Sequence, residues 1–480
     1  MSRLVPLLAL ALAACGGSGQ RKDDAPVLVS AIGGPAQADD PSAGPLEMPA
    51  RVLLGATAQG LVRFDAAGQI EPGLAERWIV IDDGRSFIFR LREAHWSDGA
   101  PVTAAEVVRA LRRAAAPGSR NALSPFLVVI DEIVEMTPQV IEVRLKRPRP
   151  DLLQLFAQPE LAVVRSGAGS GPFRISATGR SVLLRPVRDV PTADDAAPAP
   201  EETLRLRGER AALALARFKA GDSDLVLGGS FADWPLVSAA GIAPANIRAD
   251  PALGLFGLAV TRREGFLADP ANRAAIAMAI DRTALVQAVN PEWRPVETLL
   301  PAQLDSAALP ATPPWAQLAP EARRASARAR VTAWRRSNGG PTAIRIALPA
   351  GPGATLVWAH LAQSLRAIGL DPMRVAMGDE AELRLIDAVA PYDSGRWFVA
   401  TACVRCGEAA AALVEAGREA PDLPARARRI AEADAALAAD AGYIPIAQPL
   451  RWSIVAMRLR AWRGNSRAWH PLNHLRNESR

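Results

Sequence analysis

The stretch Leu74–Leu111, LAERWIVIDDGRSFIFRLREAHWSDGAPVTAAEVVRAL, predicts a β-hairpin followed by a capped helix. Within it, Trp78–Ile81 is an aromatic and β-branched run, which is typical of a strand. The Asp83-Gly84 pair that follows is a strong hairpin signal, because glycine tolerates the positive φ of a tight turn. On the return strand, Ser86–Leu91, bulky apolar side chains alternate with others, so we expect one face to be buried.

The segment after the hairpin carries a helix start signal. A second turn at Ser97–Gly99 leads to Thr103 and Glu106, which are three residues apart, as in a capping box. One face of the helix is then apolar and is lined by Ala104, Val107, Val108 and Leu111. These residues by themselves indicate a half-buried hairpin and an amphipathic helix.

The order of these parts closely resembles the signature of the family 5 extracellular solute-binding proteins, which include dipeptide- and oligopeptide-binding proteins. The matching residues are Phe64, Asp65, Gly68, Pro72, Leu74, Ala75, Trp78, Asp83, Gly84, Phe87, Phe89, Leu91, Arg92, Trp96, Asp98, Gly99, Pro101, Thr103 and Ala104. Glu106 departs from the pattern, since the family usually has Asp there. In that family the module is structural and lies away from the ligand, so the resemblance does not identify the solute.

Three further segments resemble the family in the expected order. Gly169–Ile175 is similar to its G-T-G-P-F strand entry, and Arg217–Gly228, RFKAGDSDLVLG, is similar to a helix-to-strand element. Asn272–Arg282 resembles its R-x-A-i-x-x-A-i-D-R helix, and the preceding Asp269-Pro270 predicts an N-cap followed by proline at the first helical position. The resemblance covers residues 50–300 well and the rest loosely.

The resemblance implies a two-lobed α/β fold of the periplasmic-binding-protein kind, type II-like, with the ligand cleft between the lobes. Lobe I would comprise residues 26–250 and 443–480, with residues 51–160 as an extra subdomain. Lobe II would comprise residues 251–442. The two crossings between the lobes would form a hinge, and the lobes would close around a bound solute.

The N-terminus is typical of a bacterial export signal. Residues 1–15 contain a positive residue, Arg3, and an apolar core, Leu4–Ala14, that is too short for a transmembrane helix. The end of this segment, Leu-Ala-Ala-Cys15, looks like a lipobox, in which the signal is cut before a cysteine that then carries lipid. The alternative is a plain signal peptide with an incidental cysteine. Because residues 16–25 follow as a glycine-rich tether, we expect a periplasmic protein anchored by lipid on Cys15 to the cell envelope membrane.

The charge distribution points away from nucleic-acid binding. The net charge of +6 equals the excess in the last thirty residues, which hold seven Arg and one acid, Glu478. No nucleic-acid-binding motif is recognised, and basic residues elsewhere alternate with acids. The basic C-terminal segment could touch anionic lipid or an acidic partner, or it could be a solvated terminus.

The candidate ligand-binding residues are also implied by the resemblance. Tyr392–Trp397, YDSGRW, is similar to the segment that most often meets ligand in the family, and Gln59 lies where the family has a segment near the cleft. Tyr392 and Trp397 would form an aromatic wall with a polar handle. Arg396 is the candidate to pair with a carboxylate of the ligand, and Asp393 is the fifth candidate ligand-binding residue. The alternative is that Trp397 is a core residue and Asp393 forms a turn.

One departure from the family bears on the solute. Dipeptide-binding members have an Asp after the Trp that pairs with the ligand's free amine, whereas residues 398–402 contain no acid. A buried ammonium without a counter-charge is strongly disfavoured. A free peptide amine would therefore require Glu408 or another acid.

Cys403 and Cys406 form a C-x-x-C motif, which can be redox-active, part of a zinc site, or a disulfide. A structural zinc site needs about four ligands, and the sequence has no second cysteine pair. A thioredoxin-like role needs its own small fold. With Cys15 lipidated and the protein exported, we expect Cys403 and Cys406 to form a disulfide that stiffens the suspected ligand loop.

Neither a metal site nor an enzyme is predicted. The chain has four His, of which His470 and His474 have i,i+4 spacing but are separated by Pro471, so tail residues are favoured over ligands. Scarce His also disfavours a Ser-His-Asp hydrolase. We expect no metal and no cofactor.

The predicted function is a lipid-anchored receptor that captures a peptide-like solute and delivers it to an ABC permease in the inner membrane. We expect one chain to act as a monomer. The alternative is a sensor or envelope scaffold with the same fold and a degenerated ligand pocket.

Overall fold

A computed structural model describes residues 23–165, 167–187, 198–339 and 342–476. The predicted signal peptide with Cys15, and most of the tether, lie outside these residues. Within the described part of the chain, no helix has the length and apolar character needed to cross a membrane.

The described strands are β1 Val27–Ile32, β2 Val62–Phe64, β3 Ile70–Pro72, β4 Ala75–Ile81, β5 Ser86–Leu91, β6 Ile130–Thr137, β7 Val140–Leu145, β8 Val164–Arg165, β9 Ala168–Gly169, β10 Phe173–Ala177, β11 Val182–Pro186, β12 Leu204–Glu209, β13 Leu225–Ser230, β14 Ile247–Asp250, β15 Gly254–Val260, β16 Ala343–Ala347, β17 Asp371–Val375, β18 Leu383–Val389, β19 Tyr443–Ala447 and β20 Arg451–Val455.

The described α-helices are α1 Met48–Thr57, α2 Ala104–Ala115, α3 Ser124–Leu127, α4 Leu152–Phe156, α5 Ala211–Ala220, α6 Trp234–Ala240, α7 Pro270–Ala279, α8 Arg282–Val289, α9 Pro320–Asn338, α10 Pro352–Ala367, α11 Gly395–Ala402, α12 Glu408–Glu419 and α13 Leu423–Asp440.

Two mixed sheets form the centres of the two lobes. The first has seven strands in the order β10-β11-β12-β1-β13-β20-β14, and the second has five in the order β17-β16-β18-β15-β19. β1 pairs in parallel with β12 and β13, and β15 is buried along its whole length between two antiparallel neighbours. Central strands covered on both faces are continuously apolar, which explains the runs at Val27–Val29 and Gly254–Val260.

The chain crosses between these sheets twice, from β14 to β15 and from β19 to β20. β19 pairs with β15 of the second sheet, so by strand pairing the return to lobe I lies after Ala447, a few residues later than the expected boundary at 443. Beside the second crossing, Arg451 of the first sheet donates to both carboxylate oxygens of Asp387 in the second, at 2.8 and 3.1 Å. Short crossings tied by an ion pair provide a pivot for lobe movement.

The extra subdomain contains the predicted hairpin, formed by β4 and β5. β4 and β5 belong to a four-stranded sheet, β4-β5-β7-β6, with Phe87 and Phe89 fully buried. The capping box is present: Thr103 accepts from the Glu106 backbone N–H, and Glu106 accepts from that of Thr103. Glu106 also accepts from Trp96 Nε1 at 3.0 Å, which joins the second turn to the helix.

The Asn272–Arg282 motif forms two helices rather than one. Asp269 caps α7 as predicted and Pro270 follows it, but the helix ends at Ala279 and α8 starts at Arg282. Arg282 occupies the break, donating to the carbonyls of Ala277 and Pro445, and burial lowers its pKa to about 10. Arg282 thus satisfies the Ala277 carbonyl, which the helix break leaves without its helical partner, and ties the start of α8 to β19.

The basic C-terminal segment is part of the folded structure up to residue 476. Arg458 pairs with Asp224 at 2.8 Å and donates to the carbonyls of Ala25 and Pro26. Arg476 donates to the carbonyls of Asp23 and Ala25. These arginines hold the two ends of the described chain together, so neither the lipid-contact nor the frayed-terminus interpretation describes them.

We expect Arg273→Leu to destabilise the protein by about 3–5 kcal/mol, because a buried ion-pair network would lose one partner. Arg273 is fully buried; it donates to the carbonyls of Leu267 and Ala268 and to Asp440. Urea unfolding followed by circular dichroism measures the loss. Arg336→Leu, at an exposed position on α9, is the control and should change stability by less than about 0.5 kcal/mol. Equal effects of the two variants would contradict this role.

Because the Asp434 carboxyl is buried, we expect the free energy of unfolding to depend on pH. Within the described part of the chain, this buried carboxyl on α13 accepts one hydrogen bond, from the Ala311 N–H, and burial raises its pKa from 3.8 to about 6. Between those values the folded protein binds more protons than the unfolded chain, so the free energy of unfolding falls as pH rises. Asp434→Asn should therefore gain about 1–3 kcal/mol over the unmodified protein at pH 8 and about a third as much at pH 4.5.

Urea unfolding at both pH values tests this expectation. Glu432→Gln, at a partly exposed position on the same helix, is the control and should show no such pH-dependent gain. A gain for Asp434→Asn of the same size at pH 4.5 and pH 8 would contradict the assignment.

Candidate functional site

Residues 390–393 of lobe II lie at the junction of the lobes. From the extra subdomain, Gln154 donates to the Asp393 carboxylate at 3.0 Å and accepts from the Asp393 N–H at 2.7 Å. Gln158 donates to the Pro391 carbonyl at 2.8 Å. From the C-terminal segment, the buried Arg467 pairs with Asp393 and donates to the Ala390 carbonyl at 3.2 Å. The segment is therefore held from two sides by lobe I.

Tyr392 is fully buried at the centre of this junction. Phe126 of the extra subdomain packs edge-on against its ring, with centroids 5.6 Å apart, and the Arg149 guanidinium lies 5.2 Å from the ring centroid. Its hydroxyl accepts from Arg396 Nη1 at 3.4 Å. Burial raises the pKa of Tyr392 although both arginines oppose the shift, so the hydroxyl is neutral and can act as donor or acceptor.

An ion network surrounds Tyr392 and crosses between the lobes. Arg149 pairs with Asp151 at 3.0 Å within lobe I, and Arg426 pairs with Asp305 at 2.9 Å within lobe II. Arg426 also reaches across, 3.8 Å from Asp151, and donates to the Pro148 carbonyl at 3.3 Å. These contacts require the lobes to be closed at this point.

Asp305 positions the predicted binding segment. Its carboxylate accepts from Ser394 Oγ at 3.0 Å and from the Gly395 N–H at 2.7 Å, at the N-terminus of α11. A carboxylate is stabilised there by unpaired backbone N–H groups and the helix dipole. Asp305 and Ser394 therefore fix the start of α11 and, with it, the direction of Arg396.

Positive charge exceeds negative charge in this cluster. Among the described residues it brings together the guanidinium groups of Arg149, Arg396 and Arg426 and the carboxylates of Asp151 and Asp305. Burial by itself would lower the pKa of Arg149. The attraction of Asp151 outweighs this effect, so the pKa of Arg149 is raised above its usual value. Burial also lowers the pKa of Arg396, which has no carboxylate within 4.0 Å among the described residues. A buried, incompletely paired guanidinium costs several kcal/mol and favours an added anion.

The other two candidate residues lie in different surroundings. Trp397 is buried against Phe398, with ring centroids 5.0 Å apart, and belongs to a hydrophobic core. Gln59 is buried in lobe I, where it donates to the Ser170 carbonyl at 2.6 Å and accepts from Arg92 at 3.1 Å. Of the five candidates, Tyr392, Asp393 and Arg396 share the polar junction.

The sequence-based site predictions did not include four charged residues of the ion network, Arg149, Asp151, Asp305 and Arg426, nor Gln154, Gln158 and Arg467 beside it. For Arg426 a signal exists, because the buried face of α13 comprises Arg426, Ile430, Ala433, Asp434 and Leu437. Charged residues at apolar positions of an amphipathic helix indicate buried polar contacts. Arg149, Asp151 and Asp305 lie in irregular segments or at a helix start, where periodicity gives no signal.

Cys403 and Cys406 are paired as a disulfide in the structure, at the C-terminal end of α11. Arg263 donates to the Arg405 carbonyl, and the Gly407 N–H donates to Asp440, so the loop is fixed on both sides of Cys406. The pair lies one helix length, about 10 Å, from Arg396.

Among the described residues, no group of three or more His, Cys, Asp or Glu is placed to hold a metal ion. His470 contacts Asp250 at 3.1 Å and His474 contacts Glu71 at 2.9 Å. Each of these histidines therefore has a carboxylate partner of its own instead of sharing a ligand with the other.

Two small cavities lie beside the lobe crossings, with volumes of about 30 and 40 Å³. Tyr443 lines both cavities, and its buried hydroxyl has no hydrogen-bond partner among the residues that the structure describes. Spaces of this size hold water rather than a solute.

Curated relatives share part of this sequence. Probable deoxycholate-binding periplasmic protein YgiS of Escherichia coli K12 is 31% identical over 121 residues, 22% of this chain and 23% of the relative. Periplasmic murein peptide-binding protein MppA of the same strain is 27% identical over 275 residues, 49% of this chain and 50% of the relative. The chain thus matches about a quarter to a half of these relatives.

Solved structures share the whole fold. A Haemophilus influenzae OppA structure, in complex with RPPGFSPFR, has a TM-score of 0.76 at 16% identity, covering 93% of this chain and 97% of that chain. The predicted two-lobed fold is confirmed by this likeness.

The model of the family described as bacterial extracellular solute-binding proteins, family 5 Middle, matches residues 69–383, which is more than half of the chain. The match includes most of the signature hairpin, the capped helix α2 and the motif at α7 and α8. The chain therefore belongs to the bacterial extracellular solute-binding proteins of family 5.

Proposed function

We propose that the protein is a receptor that captures a peptide-like solute between its lobes and delivers it to an ABC permease. Membership of family 5 and the two-lobed fold with paired crossings support this role. The junction at Tyr392 gives the lobes a contact that opening would break and closure would restore. The protein is a binding protein rather than an enzyme.

The observation that carries the proposal is the excess positive charge buried at this junction. Arg396 has capacity to donate further hydrogen bonds and lacks a carboxylate partner among the described residues. A planar guanidinium pairs with a carboxylate through two parallel hydrogen bonds. We therefore assign Arg396 to the acidic group of the solute, with Tyr392 beside it as the polar handle. Asp393 pairs with Arg467 and hydrogen-bonds with Gln154, which both belong to lobe I. Its proposed role is therefore to stabilise the closed lobes and not to contact the solute.

The ligands given in the names of two related proteins are acidic, as proposed here for the solute. MppA is described as binding murein peptide, and YgiS as a probable deoxycholate-binding protein. Peptides and deoxycholate both carry a carboxylate. A peptide-like solute remains the preferred class because the OppA structure that shares the fold is a peptide complex.

Several further features belong to the same proposal. We propose that Cys15 carries lipid, that residues 1–15 are removed on export, and that the protein is periplasmic and tethered to the cell envelope membrane. Lobe I would comprise residues 26–250 and the C-terminal return, with 51–160 as its extra subdomain. Lobe II would comprise the residues between, and a single chain would be the binding unit. The Cys403–Cys406 disulfide would stiffen the end of α11 opposite Arg396.

A second candidate function is a sensor or envelope scaffold with a degenerated pocket. The reciprocal hydrogen bonds of Gln154 and Asp393, and the pairing of Asp393 with Arg467, favour it. In that case the protein's own side chains would take the place of solute and hold the lobes closed permanently.

Arg396→Gln tests the carboxylate assignment. Isothermal titration with short peptides, as free acids and as C-terminal amides, should show tighter binding of the free acids by about 10- to 100-fold, as expected for a charge-assisted pair. Arg396→Gln should remove that preference, whereas the control Arg460→Gln, at an exposed position, should keep it. Binding without any preference for the free acid would overturn the role of Arg396. Absence of binding by every peptide would favour the scaffold.

A further inference from the structure

A cavity of about 280 Å³ lies beside α2 in the extra subdomain. One of its walls is a stripe of α2 residues at helical spacing, Glu106, Arg109, Ala110, Arg113 and Ala114. The other wall comprises the loop Asp40–Ser42 and residues of the segment 160–165. This volume is near the lower end of the range for small-molecule sites, whereas the cavities beside the lobe crossings hold only water.

Ion pairs hold both walls of the cavity in place. Asp40 of the loop pairs with Arg113 of α2. On the other side, Arg165 pairs with Glu106 of α2 at 3.1 Å, and its guanidinium lies 5.0 Å from the centroid of the buried Trp96 ring. The walls are therefore fixed by contacts within the subdomain, and the cavity does not need a ligand in order to form.

The charges that line the cavity leave one positive group free. Each of its three carboxylates already has a guanidinium partner, including Glu160, which pairs with Arg51 at 2.6 Å. Arg109, one helical turn before Arg113, is exposed and has no hydrogen-bond or ion-pair partner in the part of the chain that the structure describes. The unpaired charge of the lining is thus a guanidinium, which favours a carboxylate or a similar anion.

Much of the remaining lining is apolar. Ala110 and Ala114 contribute only methyl groups to the α2 wall, and Pro41, Leu161 and Val164 contribute apolar surface elsewhere in the lining. The small side chains on α2 leave the space that larger residues would fill. A ligand that matches this lining has an apolar body and one acidic group.

We propose that this cavity is a second ligand site, separate from the lobe junction, and that it binds a small amphipathic anion such as an aromatic or short-chain carboxylic acid. The Arg109 guanidinium pairs with the carboxylate, and the hydrocarbon part lies against Ala110 and Ala114. None of the residues that line the cavity belongs to the ion network around Tyr392. The inference therefore does not depend on the proposed function.

The cavity lies close behind a contact between the extra subdomain and lobe II. Glu160 lines the cavity, and Gln158, two residues earlier, donates to the Pro391 carbonyl at 2.8 Å. Arg51 connects the two, because it pairs with Glu160 and donates to the Gln158 side-chain oxygen at 3.4 Å. A ligand in the cavity would thus rest on the segment that reaches the lobe junction.

Isothermal titration of the full chain with 2-naphthoate and with the neutral 2-naphthamide tests the site. The naphthoate should bind about tenfold or more tightly than the amide, as expected for a charge-assisted pair. Arg109→Gln should remove this preference, and Ala110→Phe, which fills the space, should weaken both probes by about tenfold or more. The matched control Arg336→Gln, at an exposed position of α9, should leave both affinities unchanged.

Arg396→Gln separates this site from the lobe junction and should also leave both affinities unchanged. No binding of 2-naphthoate up to about 5 mM would overturn the proposal. Naphthoate binding that survives both Arg109→Gln and Ala110→Phe, or that is lost only in Arg396→Gln, would overturn it as well, because the probe would then occupy another site. Unchanged melting temperatures would establish that Arg109→Gln and the two other Arg→Gln variants are folded.

Discussion

The buried ion network around Tyr392 determines how the two lobes meet. Three guanidinium groups gather here with two carboxylates, and pairing offsets part of the cost of removing these charges from water. Asp305 lies between α11 and Arg426, and Asp151 lies within reach of both Arg149 and Arg426. This arrangement couples an extra-subdomain loop, the start of α11 and the face of α13. Lobe opening separates these groups, so their pairing contributes to the closed state whether or not solute is bound.

Elsewhere in the fold, buried arginines also pair with carboxylates and with backbone carbonyls. Lysine occurs only at positions 22, 146 and 219, so the chain relies on guanidinium groups for its buried cations. The planar group with several fixed donors can pair with a carboxylate and with backbone carbonyls together, which an ammonium does less well. Arg273 does so with the Asp440 carboxylate and the carbonyls of Leu267, Ala268 and Asp440, and Arg458 does so with Asp224 and the carbonyls of Ala25 and Pro26. Much of the positive charge is thus structural, and a high pI by itself says little about the solute.

Local signals in the sequence predicted the elements well, and the resemblance predicted their assembly. The turn at Asp83-Gly84, the capping box of Thr103 and Glu106, and the cap at Asp269 depend on neighbouring residues, and the structure has all three. The junction depends on residues more than two hundred positions apart, such as Gln154 and Asp393, which no local pattern relates. The placement of β19 in the second sheet likewise depends on its pairing with β15. Apart from the resemblance at Tyr392–Trp397, only the charged residues on the apolar face of α13 indicate the site.

The most direct test of the receptor account is native mass spectrometry of the protein purified gently from its own host. The account predicts a co-purifying mass that belongs to a peptide or another small carboxylic acid and is lost in Arg396→Gln. An apo mass in every preparation, unchanged after addition of a peptide library, would contradict the receptor role and favour a scaffold. A bound solute without an acidic group would contradict the role assigned to the buried guanidinium cluster while leaving the receptor in place.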